Sequence, residues 1–413
     1  MSYDDVQFIG YHHQLGYNAK NPGAPGRIWN GTHKIIPGGP PHQVVAGKGT
    51  QAYKGHANDR TDLTNRCSYV KNAILTAANS PDIDLDATTL KVFVMPEFFF
   101  RGVRGGYPLE LIADVLKDFR KWSFNARPDR FRNWLFVLGT IIGYMDVMDP
   151  VVPNRKTGVE VFNIALIQQG GFLNPDGKHE RLVYKEYVSG IDYINETTTT
   201  FDAGWNRIGH VDTRGMSLLG SVNKYRTTVP TLGSHDALSQ APTRSLNRDE
   251  WSNNSLQGGC IFRLGDAHED INEVCIGVEV CLDHLQRRMK NSPEGIDTIE
   301  PMIQVIPSAG MDIKDPAVRV VNTGYVFNVD GLRTQASAPP AIELKQWNGA
   351  ATVALETAGT FNLHAVPNPI RAGGALIATD YFASAGQVKI YDTRVMPPRV
   401  NVGNFLGNLF GDS

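Results

Sequence analysis

Three short apolar runs in this chain each end in a residue with a reactive side chain. Residues 92–97 end in the carboxylate of Glu97, residues 182–185 in the amine of Lys185, and residues 273–281 in the thiol of Cys281. Apolar runs of this length are typical of strands buried on both faces. In open α/β sheets, ligands bind at the carboxyl ends of such strands. The pattern therefore predicts a layered α/β fold with a reactive group at the end of three strands.

Strands and helices alternate in the first half of the chain, which favours α/β layers. Helical spacing predicts a helix that begins at Thr61 or Asp62 as N-cap, a second over 109–122 and a third over 284–290. Late strands that follow one another without helices predict an antiparallel edge. The predicted strands cover 6–11, 92–97, 134–142, 159–168, 182–185, 260–264, 273–278, 303–308, 324–329, 351–355 and 388–391.

Two segments interrupt this alternation. Residues 15–60 are rich in Gly, Pro, Asn and His, a composition typical of a loop, and residues 197–258 contain few periodic runs. We therefore expect one catalytic domain over 1–395, with 15–60 as an extra loop and 197–258 as an insertion or lid. Residues 396–413 form a C-terminal tail. Its apolar stripe, Phe405, Leu406, Leu409 and Phe410, fits either docking on a second subunit or a local core patch.

Charge and cysteine content exclude several classes of protein. The formal net charge is −2 and the sequence has no basic stripe, so we expect no nucleic-acid partner. Four cysteines without a CxxC pair do not form a disulfide framework, which favours a reducing compartment. The acidic N-terminus lacks the features of a signal peptide, and no apolar stretch approaches the roughly 18 residues of a membrane span. We therefore expect a cytoplasmic protein that does not associate with membranes.

Glu, Lys and Cys together are sufficient for acyl transfer at a C–N bond. A carboxylate takes the proton of the thiol and returns it to the leaving amine. An ammonium stabilises the oxyanion of the tetrahedral intermediate. The set requires neither a metal nor another cofactor. The adjacent His12 and His13 are not predicted to bind metal, since neighbouring strand residues point to opposite faces.

Further runs accompany the three reactive residues in a fixed order along the chain. They are 95–97, 137–140, 162–167, 276–283, 306–309 and 322–326. In this order they resemble the motifs of the nitrilase, or carbon–nitrogen hydrolase, superfamily, over about residues 6 to 335. The resemblance implies a nitrilase-like four-layer αββα sandwich, here with a long insertion before the nucleophile, and a homo-oligomer that pairs across a helix layer.

The resemblance also implies a role for each site residue. Cys281 would be the nucleophile, Glu97 the general base and acid, and Lys185 the oxyanion donor, with the backbone N–H of Leu282 as a second donor. A second carboxylate is expected between the lysine and the cysteine, with Asp192 and Glu196 as candidates. Glu279 shares a strand face with Cys281 and is a further candidate, as a supporting carboxylate or a substrate-amine anchor. The candidates for lining the substrate pocket are Phe98, Tyr187 and His284.

Several alternatives stay open at this point. The expected substrate is a small amide or carbamoyl compound, with a nitrile, or acyl transfer to an amine, as the alternative. A catalytically silent binding or scaffold protein of the same fold is the alternative from another class. Considered without Glu97 and Lys185, Cys281 is also consistent with a buried structural thiol, or with the nucleophile of a Cys–His dyad formed with His284. Arg101 and Arg104 fit either a substrate carboxylate or a solvated surface.

Overall fold

The computed structural model describes most of the chain outside the two irregular segments. The described residues are 3–15, 33–35, 43–46, 54–56, 58–102, 106–125, 128–148, 151, 156–171, 180–185, 199–201, 207–210, 260–264, 274–291, 300–357, 359–382 and 386–398. The helices are α1 (Asp59–Ala78), α2 (Glu110–Asn125), α3 (Pro128–Phe131), α4 (Leu282–Leu285) and α5 (Arg288–Asn291).

The strands occur in the same chain order as predicted, with additional short ones. They are β1 (Asp5–His12), β2 (His33–Ile35), β3 (Gln43–Ala46), β4 (Thr89–Val94), β5 (Tyr107–Pro108), β6 (Trp134–Met148), β7 (Lys156–Gln169), β8 (Glu180–Tyr184), β9 (Thr199–Phe201), β10 (Arg207–His210), β11 (Ile261–Leu264), β12 (Val274–Val278), β13 (Ile303–Ser308), β14 (Tyr325–Asp330), β15 (Ile342–Trp347), β16 (Thr352–Ala354), β17 (Phe361–Ala365), β18 (Ile370–Arg371), β19 (Gly374–Ala375), β20 (Gln387–Tyr391) and β21 (Arg394–Val395).

Two large sheets form the body of the protein. The first has the strand order β17-β20-β1-β4-β6-β7-β8, and in addition β5 pairs with β6 and β21 pairs with β1. Strands β1, β4 and β6 are parallel, whereas β7, β8 and β20 run antiparallel to their neighbours. The second sheet has the order β11-β12-β13-β14-β15-β16, and β12, β13 and β14 are parallel. The late strands β15, β16 and β20 pair antiparallel, which confirms the predicted antiparallel edge.

The two sheets bury their facing sides in one apolar core. Val92 and Val94 of β4 belong to this core together with residues of the second sheet, whereas Phe93 points to the opposite face and packs with the helices. We call the core between the sheets the inter-sheet layer; it includes Val94, Val137, Ala165, Val183 and Val278. Each buried side chain of this size stabilises the fold by about 1.5–3 kcal/mol. Burial on both faces explains why the central residues of these strands are mostly apolar.

The mixed α/β class is confirmed. Helix α2, predicted over 109–122, buries Ile112, Val115, Leu116 and Phe119 against the first sheet. In the part of the chain that the structure describes, the outer face of the second sheet does not pack against a long helix. There Ile306 and Val326 pack against the segment around Ile313, Val318 and Val320, and no helix in the described residues 274–398 exceeds four residues.

Two helix predictions need correction at their boundaries. Helix α1 begins at Asp59 because Asn58 is the N-cap, its side chain accepting from the Thr61 amide at 2.9 Å. The predicted helix over 284–290 is two separate turns, α4 and α5. Arg287 lies between them with a positive φ of 56°, a conformation that interrupts a right-handed helix.

The segment 15–60 is not only loop. Its strands β2 and β3 pair with each other, and β3 pairs with β9 of the segment 197–258, in a small sheet of order β10-β9-β3-β2. Backbone pairing of this kind depends on a distant partner, which local composition does not reveal. Most of 197–258 and the tail beyond residue 398 lie outside the described residues. Among the described helices, not one has both the length and the apolarity that crossing a membrane requires.

Candidate active site

Glu97 follows β4 in a segment whose backbone is tightly held. The Met95 amide continues the pairing with β6 by donating to the Val137 carbonyl at 2.9 Å. A bulge in β6 places Gly139 beside this segment with φ 64°, and a Cβ at that position would lie 2.2 Å from the Pro96 carbonyl oxygen. Only glycine permits this approach. Gly139, which belongs to the run 137–140, therefore helps to position the backbone before Glu97.

Glu97 and Lys185 form an ion pair in the interior. Lys185 Nζ donates to Glu97 Oε1 at 2.8 Å, and both side chains are fully buried. Asn163 of β7 donates to the same oxygen through Nδ2, also at 2.8 Å. The backbone adds a further link, since the Lys185 amide donates to the Asn163 carbonyl at 2.8 Å. Glu97 and Lys185, which were predicted at the ends of two separate strands and lie 88 positions apart in the chain, are thus in direct contact.

The faces of β7 and β8 show where this pair points. Ala165 of β7 and Val183 of β8 lie in the inter-sheet layer. Because side chains alternate along a strand, Asn163 and Lys185, each two residues away, share that face. Cys281 also belongs to the inter-sheet layer. The amine, the carboxamide and the thiol therefore face the same space between the sheets.

Cys281 lies at a sharp turn just beyond β12. Its φ is 48° and its ψ −105°, values that an L-residue adopts only with strain. The amide of Cys281 donates to the Pro307 carbonyl at 3.1 Å, and Sγ lies 3.9 Å from the Ala309 carbonyl oxygen. Helix α4 begins at the next residue, Leu282, whose side chain is buried in the inter-sheet layer. The turn is therefore a strained strand-to-helix junction.

One strand end holds both the thiol and the carboxylate segments. The Cys281 amide donates to the carbonyl of Pro307, and the Glu97 amide donates to the carbonyl of Ser308 at 3.2 Å. Pro307 and Ser308 are consecutive residues of β13, so their Cα atoms lie only about 3.8 Å apart. Strand β13 therefore fixes the backbone at Cys281 relative to the backbone at Glu97, across the two sheets.

Arg288 joins the thiol segment to the lysine segment. Its Nη1 donates to the carbonyl of Tyr184, the residue before Lys185, at 2.6 Å, and to Asp283 Oδ2 at 3.1 Å. The side chain is almost fully buried. Arg288 thus ties the turn that carries Cys281 to the strand end that carries Lys185. This contact could not be predicted from the sequence, because the predicted helix over 284–290 did not specify the face on which Arg288 lies.

Replacing Arg288 by lysine should slow turnover more than it destabilises the fold. A lysine keeps the charge beside Asp283, but its shorter side chain and freely rotating ammonium do not hold a donor at the position of Nη1, from which one nitrogen reaches both acceptors. We expect kcat for any accepted substrate to fall about 10- to 100-fold, because small displacements of reacting groups are costly. Steady-state kinetics and urea unfolding measure the two effects. Arg319→Lys is the matched control, since Arg319 contacts the Met289 carbonyl instead; equal losses in both variants would contradict a positioning role.

Phe98 lies directly beside the ion pair. Its φ is 62°, a second strained position at the site, and its amide donates to Thr140 Oγ1 at 2.9 Å. The ring centroid is 5.7 Å from Lys185 Nζ and 4.3 Å from Arg101 Cζ. Arg101 is 5% exposed, which excludes the solvated surface position left open from the sequence. Phe98 and Arg101 border a cavity of about 30 Å³.

A larger cavity, of about 360 Å³, lies elsewhere. It is bordered by Lys91 and Trp134, near the amino ends of β4 and β6, whereas Glu97 follows the carboxyl end of β4. Ligands of parallel sheets bind at the carboxyl ends of the strands. We therefore place the candidate site at Glu97, next to Phe98, which borders the smaller cavity.

Glu279 and His284 form a buried network around α4 and α5. His284 Nδ1 contacts Glu279 Oε2 at 2.8 Å, and His284 Nε2 accepts from the Lys314 amide at 3.0 Å. Glu279 also accepts from the Met289 amide at 2.6 Å and from Gln304 Nε2 at 2.7 Å. Both ring nitrogens are engaged, so a Cys281–His284 dyad does not form in this arrangement. The network instead holds the turn after Cys281.

Four of the residues considered from the sequence cannot be placed, and one residue is added to the site by the structure. Tyr187, Asp192, Glu196 and Arg104 lie outside the described residues. Asn163 had been part of a matching motif without a role, and the structure adds it as the partner of Glu97. A buried polar residue within an apolar strand demands a hydrogen-bond partner, and this was the signal that would have identified it.

Comparisons with known proteins add no family to these observations. No family model matches the chain, and no curated protein matches it either.

Proposed function

We propose that this protein is a thiol hydrolase that cleaves the C–N bond of small amide or carbamoyl compounds through a Cys281-bound acyl intermediate. One observation carries the proposal: the buried Glu97–Lys185 pair faces the same inter-sheet layer as the strained Cys281. The proposal includes the nitrilase-like αββα sandwich, in which the short helices and loop beside Ile306 and Val326 take the place of the fourth layer.

In the first half-reaction, Glu97 takes the proton of Cys281 as sulfur attacks the carbonyl carbon. We assign this transfer to Oε2, because Oε1 already accepts from Lys185 and Asn163. Lys185 Nζ and the Leu282 amide stabilise the oxyanion. Collapse of the intermediate breaks the C–N bond, and Glu97 returns its proton to the leaving amine. A thioester on Cys281 and one molecule of amine, or ammonia for a primary amide, result.

In the second half-reaction, water attacks the thioester carbonyl while Glu97 accepts its proton. The second tetrahedral intermediate uses the same two oxyanion donors. Its collapse releases the carboxylic acid and returns the proton to sulfur. The sum is the conversion of an amide and water to an acid and an amine, with the enzyme unchanged.

Ammonia release tests this proposal. We expect the purified protein to release ammonia from at least one member of a panel of primary amides and carbamoyl compounds without added amine. Iodoacetamide should abolish that activity in parallel with alkylation of Cys281, followed by peptide mass spectrometry. Release that requires an added amine would indicate acyl transfer instead, and no release from any member would contradict the proposal.

A catalytically silent binding or scaffold protein is the second candidate, because Cys281 is only 3% exposed. The relative alkylation rates of the four thiols separate the candidates. Burial raises the pKa of the Cys67 thiol to about 12, which keeps it protonated and slow to react. An enzyme requires Cys281 to react much faster than Cys67, Cys260 and Cys275. Equally slow alkylation of all four would favour the silent protein.

A further inference from the structure

Asn163 has a fixed orientation beside the proposed base. Its side chain is fully buried, and its Nδ2 donates to Glu97 Oε1 at 2.8 Å. A carboxylate only accepts, so the nitrogen of the carboxamide must face Glu97 and the oxygen must face away. The orientation of the carboxamide therefore follows from the chemistry of its partner.

The oxygen of this carboxamide is a buried acceptor. Within the described part of the chain, no group donates a hydrogen bond to Asn163 Oδ1. A buried acceptor without a donor is costly and rare, and each case requires a physical explanation. Asn163 lies on the face of β7 that borders the inter-sheet layer, where Cys281 also lies. The acceptor thus belongs to a side chain on the face that borders the layer in which acyl transfer is proposed.

We infer that Asn163 Oδ1 accepts an N–H of the substrate, which selects carboxamides and carbamoyl compounds against nitriles. The inference rests on the proposed function and names the substrate class of that site. An amide nitrogen carries hydrogens, whereas a nitrile nitrogen carries only a lone pair. A nitrile bound at the same carbon would leave Asn163 Oδ1 buried without a donor. Sites that bind a substrate hydrogen strongly reject the analogue that lacks it.

The same hydrogen bond strengthens as the reaction proceeds. The leaving nitrogen gains the proton that Glu97 returns, and so acquires ammonium character before the C–N bond breaks. Hydrogen bonds from a charged donor are shorter and stronger than those from a neutral amide. Asn163 would therefore contact the reacting nitrogen in the transition state as well as orient Glu97. Contact with the reacting nitrogen should affect the ratio of amide to nitrile hydrolysis, whereas orientation of Glu97 should affect both rates.

Matched substrates test the inference. Butyramide with butyronitrile, and benzamide with benzonitrile, keep one carbon skeleton and differ at the nitrogen. In the wild-type protein we expect kcat/KM for the amide to exceed that for the nitrile by about 100-fold or more. In Asn163→Leu both values should fall, because Glu97 loses a donor, and the amide-to-nitrile ratio should fall about 10-fold or more. An unchanged ratio would show that Asn163 only positions Glu97, and would overturn the inference.

Gln168→Leu is the matched control. Gln168 is a buried carboxamide on the same strand, but it lies on the opposite face from Asn163. Its replacement should leave the ratio within about twofold of wild type, whatever it does to stability. A wild-type preference for the nitrile overturns the inference without any variant, so the test survives even if Asn163→Leu does not fold.

Failure of the proposed function would be distinguishable. If the wild-type protein hydrolyses no amide, that function fails, and binding then tests the inference alone. Calorimetry on the Cys281→Ser protein should give tighter binding of benzamide than of benzonitrile, and the difference should vanish when Asn163→Leu is added. Equal affinities for the two compounds, or binding of neither, would overturn the inference.

Discussion

Cys281→Ala should lower kcat/KM for amide hydrolysis by roughly 10⁴- to 10⁶-fold, since loss of a nucleophile removes the covalent pathway altogether. The fold should survive, because the change removes one sulfur atom from a nearly buried position and costs about 1 kcal/mol. Ammonia release measures the first effect and urea unfolding the second. Residual activity above about 1% of wild type would show that another residue supplies the nucleophile.

The strained turn makes a second variant informative. Glycine is ordinarily less stable than alanine by about 1 kcal/mol in regular structure. At a φ of 48° and ψ of −105° the order should reverse, because alanine retains the Cβ that makes this conformation costly. Cys281→Gly should therefore be at least as stable as Cys281→Ala, and equally inactive. A clearly less stable glycine variant would mean that the turn relaxes in solution.

The sequence predicted the central strands well because their signal is local. Strand β13 was predicted over residues 303–308 and has those bounds. Glu97 and Lys185 were predicted as the last residues of their strands, which instead end at Val94 and Tyr184, and Cys281 follows β12 as expected. An apolar run needs no knowledge of its partner to be recognised as buried. The prediction that Glu97 meets Lys185 came from the order of motifs, and the described contact agrees with it.

What the sequence did not reveal depends on distant partners. Arg288 reaches a carbonyl 104 positions earlier in the chain, and its role follows from the helix break at Arg287. His284 was a candidate for the substrate pocket, whereas both of its ring nitrogens serve the network with Glu279 and Lys314. The pairing of β3 with β9 joins two segments treated as independent additions. In each case the local sequence is compatible with several positions of the residue or strand in the fold. Only contacts with distant parts of the chain determine which position it takes.

Breaking the Glu97–Lys185 pair should produce the largest loss of stability. Both side chains are fully buried, so Lys185→Met leaves the Glu97 carboxylate without its ammonium and should cost about 3–5 kcal/mol. Glu97→Leu should cost a similar amount by leaving the ammonium of Lys185 uncompensated. Each variant should also lose essentially all hydrolysis, since each removes a group of the proposed mechanism. Urea unfolding gives the free energies of unfolding for the comparison.

The double variant Glu97→Leu/Lys185→Met separates stability from catalysis. Well-packed apolar replacements of a buried pair are often neutral or stabilising, so the double variant should be more stable than either single one. The coupling energy should then exceed the cost of one single variant, that is, about 3–5 kcal/mol. The double variant should nevertheless be inactive.

The exposed pair Arg60–Asp114 is the control for the buried pair. Arg60 Nη1 lies 2.6 Å from Asp114 Oδ2, but the two side chains are 69% and 50% exposed, and Arg60→Met should cost less than about 1 kcal/mol. Additive losses in the double variant would mean that the buried pair contributes no net coupling. Recovery of stability without activity would instead show that two charges are kept in the interior at a cost to the fold, and such a cost is understandable where the charges serve chemistry at Cys281.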